Sequence, residues 1–156
     1  MLKINLICLG DIKEKYLRDG ILEYSKRISR FADLKIVELK EHVAPTSNLL
    51  DIQQALKKDA LEIKKHMKGY CFCLDINANM PTSEEFAKKI VKITLVNSEI
   101  SFIIGASNGI DEQLKTECKE KISFSKMTFP HQLMRLIFLE QLYRAFTILN
   151  NISYHK

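Results

Sequence analysis

The chain has 156 residues and carries 24 Lys and Arg against 19 Asp and Glu, a formal charge of +5. At 46% hydrophobic residues it is too apolar for a disordered chain, and with 5 Gly and 3 Pro it is neither collagen-like nor a linker. No apolar run reaches the ~18–20 residues of a membrane span, and the length suits one domain, expected over residues 1–156.

Short apolar runs alternate with longer segments of helical periodicity. The first run, Leu2–Leu9, has neither a charged leader nor a small-residue cleavage site beside it, so a cytoplasmic protein without a signal peptide is expected. Further strand-like runs cover 34–39, 70–76, 100–104 and 122–129; helices are expected over 13–30, 48–67, 83–95, 111–119 and 131–149. Within 48–67, Ile52, Leu56, Ile63 and Met67 form one face, with Lys57, Lys58, Lys64 and Lys65 on the other. Pro81-Thr82-Ser83-Glu84-Glu85 reads as a helix start, a hydroxyl cap followed by an acidic first turn. The 40–48 segment, with Pro45-Thr46-Ser47, is the one candidate for a mobile loop. Five alternations predict an α/β fold, a mostly parallel five-stranded sheet with helices on both faces. Such sheets take ligands outside the carboxyl ends of their strands, which directs attention to the loops after 76, 104 and 129.

The last helix departs from the amphipathic pattern. Leu133, Met134, Leu136, Ile137, Phe138, Leu139, Leu142, Tyr143, Ala145, Phe146, Ile148 and Leu149 surround nearly its whole circumference. A helix apolar all round must be covered all round, and a homodimer packed through this helix is the simplest cover.

Few residues announce chemistry on their own. Cys8, Cys71, Cys73 and Cys118 are scattered without zinc-ligand spacing, so no metal is expected. Gly105-Ala106-Ser107-Asn108-Gly109 matches neither the dinucleotide nor the P-loop pattern and reads as a tight strand-to-helix turn at the ligand edge. The stretch from Ser123 to Phe129 could wrap a flat ligand with its backbone while its side chains stay in the core. His131 is read as a packing or capping residue. Tyr154-His155-Lys156 is either a solvated end or the stacking, proton-handling and phosphate-contacting set of a nucleobase site.

Taken together, the string from Phe124 to Arg135, Glu140-Gln141-Leu142-Tyr143-Arg144-Ala145 and Tyr154-His155-Lys156 resemble the RlmH family, SPOUT-class methyltransferases acting on N3 of a pseudouridine in 23S ribosomal RNA. Lys13-Glu14-Lys15-Tyr16, Leu74-Asp75 and Ile104-Gly105 with Ser107-Asn108-Gly109 extend the likeness along the chain. The resemblance implies a C-terminal trefoil knot and a homodimer. It implies S-adenosylmethionine against Leu74, Gly105, Phe124, Ser125, Lys126, Met127, Thr128 and Phe129, and 23S RNA in the large subunit or assembled ribosome as partner. It also implies an active site approached by the tail. His155 is then the expected acceptor of the N3 proton and Tyr154 the residue that holds the base. Arg144 orients the uracil carbonyls or a phosphate, or simply pairs with Glu140. The chain departs from the family pattern at Ala106, where many members carry Gly, and at Ala78-Asn79, often Gly-Lys. Ala106 is tolerable if its φ is negative. Two other readings remain: a non-catalytic RNA- or ribosome-binding protein of the same fold, and a knotted transfer RNA methyltransferase.

Overall fold

In a computed structural model covering residues 1–156, strands and helices alternate along the whole chain. They are β1 (Leu2–Leu9), α1 (Lys15–Ile28), β2 (Ala32–Leu39), α2 (Leu49–Lys64), β3 (Tyr70–Leu74), α3 (Ser83–Thr94), β4 (Glu99–Ile104), α4 (Glu112–Glu117), β5 (Glu120–Ile122) and α5 (His131–Leu149). No helix is long and apolar enough to cross a membrane.

The strands form one sheet in the order β2-β1-β4-β3-β5, every neighbouring pair parallel. Parallel neighbours need long crossovers, and the helices supply them. From Ile4 to Leu9 every residue of β1 is buried, because both faces of the sheet are covered. Ile4, Leu6 and Cys8 pack with α1, α3 and α5; Ile7 and Leu9 pack with α2 and α4. Phe102 of β4 sits between Phe72 (ring centroids 4.9 Å) and Phe138 of α5 (4.7 Å), and joins sheet to last helix. Removing such a buried ring costs about 3–5 kcal/mol.

Three expectations need correction. The last strand, expected over 122–129, ends at Ile122. Beyond it the chain turns on its own hydroxyls: Ser123 Oγ donates to the Ser125 carbonyl (2.9 Å) and the Met127 amide donates to Ser125 Oγ (2.9 Å). The buried face of α2 centres on Ala55, Asp59, Ala60 and Ile63, leaving Ile52, Leu56 and Met67 half-buried. The 40–48 segment is irregular but pinned, since the His42 amide and Nδ1 meet the buried Asp59 carboxylate at 2.9 and 2.8 Å.

Candidate functional site

A cleft of about 400 Å³ opens at the carboxyl ends of β3, β4 and β5, the edge the parallel-sheet rule selects. Its floor is Leu74, Ile104 and Ile122, the last residues of those strands. One wall is the turn from Gly105 to Gly109. Gly109 takes φ +82° and its amide donates to the Ala106 carbonyl (2.9 Å), which closes the turn so tightly that residue 105 has no room for a side chain. Ala106 is not among the positive-φ residues, so its methyl group fits where relatives of the family pattern have glycine.

The opposite wall is the loop after β5. Leu74, Gly105, Phe124, Ser125, Met127, Thr128 and Phe129 all line the cleft as expected; Lys126 points outside it and is exposed. The expectation that the loop's side chains stay in the core holds only in part. Phe124 packs against Phe86 (5.5 Å) and Phe138 (5.9 Å), but Met127 and Thr128 are exposed. Between 124 and 129 only the Met127 amide is bonded within the chain; the other five N–H groups have no protein partner. Unpaired backbone donors beside an apolar floor suit a flat, acceptor-rich ligand.

Sequence reading missed two pairs here. Lys115 of α4 reaches Asp75, the residue after β3, at 3.3 Å inside the cleft. Burial works to raise the Asp75 carboxyl, but the Asn77 amide and Lys115 hold it below the usual carboxylate range. The second is Arg135 of α5, fully buried, which donates to Glu38 Oε2 (2.6 Å) and to the Gly10 carbonyl (3.1 Å) and ties α5 to the ends of β1 and β2. Asp75 was findable from its place at a strand end; Lys115 and Arg135 look like ordinary helix-surface cations in the sequence.

The tail forms a separate cluster. α5 ends on Asn151 in the left-handed region (φ 53°), with Asn151 N–H donating to the Ile148 carbonyl (3.3 Å) and Ile152 N–H to the Thr147 carbonyl (2.9 Å). This reversal lays the tail back along the helix. Tyr154 OH donates to Glu140 Oε1 (3.0 Å), touches Tyr24 OH (3.3 Å) and lies under the Arg144 guanidinium (4.8 Å). Burial, Tyr24 and Glu140 together push the Tyr154 phenol above its ordinary range. Arg144 pairs with Glu140, as one of the two readings of that residue expects, and its Nη1 meets His155 Nδ1 at 3.1 Å. His155 Nε2 in turn meets Glu84 Oε1 at 2.7 Å.

Arg144, Tyr154 and His155 are thus brought together, but none of them lines the cleft of the same chain. His131 and Met134, at the start of α5, do line it. At ~1.5 Å rise per residue, Arg144 lies roughly 15 Å farther along the helix than Met134.

A family profile described as "Predicted SPOUT methyltransferase" matches residues 2–155. The chain is 45% identical to ribosomal RNA large subunit methyltransferase H of Fusobacterium nucleatum, over 99% of this chain and 100% of that protein. It is 43% identical to the protein of the same name from Caldicellulosiruptor saccharolyticus, over 98% and 99%. Among solved structures, a probable methylase family protein from Haemophilus influenzae superposes with a TM-score of 0.53 at 13% identity, over 99% of this chain and 70% of that one, a likeness of fold.

Proposed function

The chain belongs to the SPOUT methyltransferase family, and on that footing we propose that it transfers a methyl group from S-adenosylmethionine to N3 of a pseudouridine in 23S ribosomal RNA. The full-length relatives named for the large ribosomal subunit support the RNA part of this reading. The observation that carries the cofactor part is the cleft: an apolar floor, a tight glycine turn, and a loop from 124 to 129 in which five backbone amides have no protein partner. Those groups fit an adenosine-like ligand, with Leu74, Ile104 and Ile122 against the ring and the 124–129 backbone at its polar edge. Membership of the family also carries the implied C-terminal knot; the segment after β5 meets the loop after β3 where the Ser123 amide donates to the Asn79 carbonyl (3.1 Å).

When bound, the cofactor supplies an electrophilic methyl group on a sulfonium. The chain's own residues must hold the pseudouridine, remove its N3 proton and keep water away. Tyr154, Arg144 and His155 have the chemistry for the first two tasks: an aromatic face, a donor fork for the two carbonyls and an imidazole base. Their separation from the cleft within one chain favours a homodimer. Two α5 helices packed antiparallel about a two-fold axis would set Arg144, Tyr154 and His155 of the partner subunit beside His131 and Met134 at the mouth of the first cleft. The half-buried side of α5 that carries Ile137, which packs against neither core cluster, is the surface available for that packing. Exposed Lys57 and Lys58 on α2 belong to the basic surface that would meet RNA, and the ribosome as partner fits a cytoplasmic enzyme.

Calorimetric titration of S-adenosylmethionine and methyl-transfer assays on ribosomes test the reading together. His155→Ala should lose about 10²–10⁴-fold in turnover while binding the cofactor as before. Unchanged turnover would remove His155 from the reaction, and absence of cofactor binding in the parent protein would favour the non-catalytic RNA-binding alternative.

A further inference from the structure

The proposed base is held from two sides. Arginine has only donors, so the 3.1 Å contact between Arg144 Nη1 and His155 Nδ1 requires Nδ1 to be the lone-pair nitrogen. The ring proton is therefore on Nε2, and it donates to Glu84 Oε1 at 2.7 Å. Glu84 comes from another element, the first turn of α3, whose start is fixed by the Thr82–Glu85 capping box and tied to α5 by Ser83 Oγ donating to Gln141 Oε1 (2.8 Å). A carboxylate there also faces the positive end of the helix dipole.

We infer that Glu84 is a positioning residue for the proposed methyl transfer: it fixes the tautomer of His155 so that Nδ1 faces the pyrimidine as base, and it balances the imidazolium that forms. This rests on the reading that His155 takes the N3 proton. In that step Arg144 exchanges His155 Nδ1 for a pyrimidine carbonyl, the N3–H bond breaks, and the proton moves to Nδ1. The N3 electron pair left behind forms the new bond to the methyl carbon, whose bond to sulfur breaks with its electrons staying on sulfur. The positive charge then rests on His155 between Glu84 on one side and Arg144 on the other. The arrangement follows the orienter–base logic of a carboxylate–histidine pair. The charged and titratable groups around the ring are Glu84 of α3, Arg144 and, behind it, Glu140 of α5, Tyr24 of α1, and Tyr154 and the terminal Lys156 of the tail. Glu140 is already engaged by Arg144 and Tyr154, which leaves Glu84 as the anion in contact with the ring.

Glu84 is exposed on the first helical turn, so both Glu84→Gln and Glu84→Ala should fold. In nitrogen-resolved NMR of the dimer, His155 should be the Nε2–H tautomer in the parent protein and a mixture of tautomers in Glu84→Ala. That readout does not depend on activity, so it tests the contact even if the methyl-transfer reading fails. In the transfer assay, Glu84→Gln should lower kcat about tenfold or more and leave the cofactor's Kd and the KM for ribosomes unchanged. An unaltered tautomer in Glu84→Ala, or a parent-like kcat in Glu84→Gln, would overturn the inference while leaving the methyltransferase reading intact.

Discussion

A methyl group added at residue 105 would meet the Gly109 carbonyl oxygen at 2.5 Å and its carbon at 2.7 Å, both backbone atoms of the turn that walls the cleft. Neither atom can move without opening that turn. Gly105→Ala should therefore weaken S-adenosylmethionine binding by at least about tenfold and destabilise the fold by about 1–3 kcal/mol; calorimetry and urea unfolding read the two effects, and parent-like affinity would mean the turn is not part of the cofactor site. Ala106 is the contrasting neighbour, since its backbone stays at negative φ and its methyl group is accommodated. The tail shows the same dependence on local geometry. Glu84 lies below its ordinary carboxylate range, first because of His155 and then because of its own backbone amide. A depressed carboxyl gives its support above its unfolded pKa and loses it as pH falls through the folded one, so the docked tail is a feature of neutral rather than acidic solution.

The last helix and the loop before it carry most of what is specific to this molecule. Ile137 is half-buried in a single chain yet does not pack against either core cluster, unlike Phe138 and Leu142, which face the core. If two copies of α5 meet antiparallel, Ile137 lies near their crossing. Ile137→Glu should then halve the mass in light scattering and abolish methyl transfer without unfolding the sheet; a parent-like mass would exclude this face as the interface. The strand and helix order was readable because short apolar runs, the mark of strands buried on both faces, alternate with longer segments of 3.6-residue period. The end of β5 was not, because apolar residues continue through Phe124, Met127 and Phe129 as in the strand, while the hydroxyls of Ser123 and Ser125 bond locally and stop the ladder. The cleft loop was legible through its place at a strand end. The Glu84–His155 contact was not, since nothing in sequence links residues so far apart until α3 and α5 pack.

At the scale of the whole molecule, a small chain with +5 charge is, on the dimer proposed above, half of a working unit. One subunit offers a cleft at its sheet edge, and the tail cluster that could complete it lies at the far end of α5. The proposed dimer would carry twice the net charge of one chain, which suits an RNA partner. The central claim is methyl transfer to ribosomal RNA, and its most direct test uses ribosomes that lack the modification. Incubated with the protein and labelled S-adenosylmethionine, they should acquire one methyl group per large subunit, which mass spectrometry of nuclease fragments should locate on N3 of a pseudouridine in 23S RNA. No incorporation, or a methyl group found instead on transfer RNA or on another position, would contradict the account.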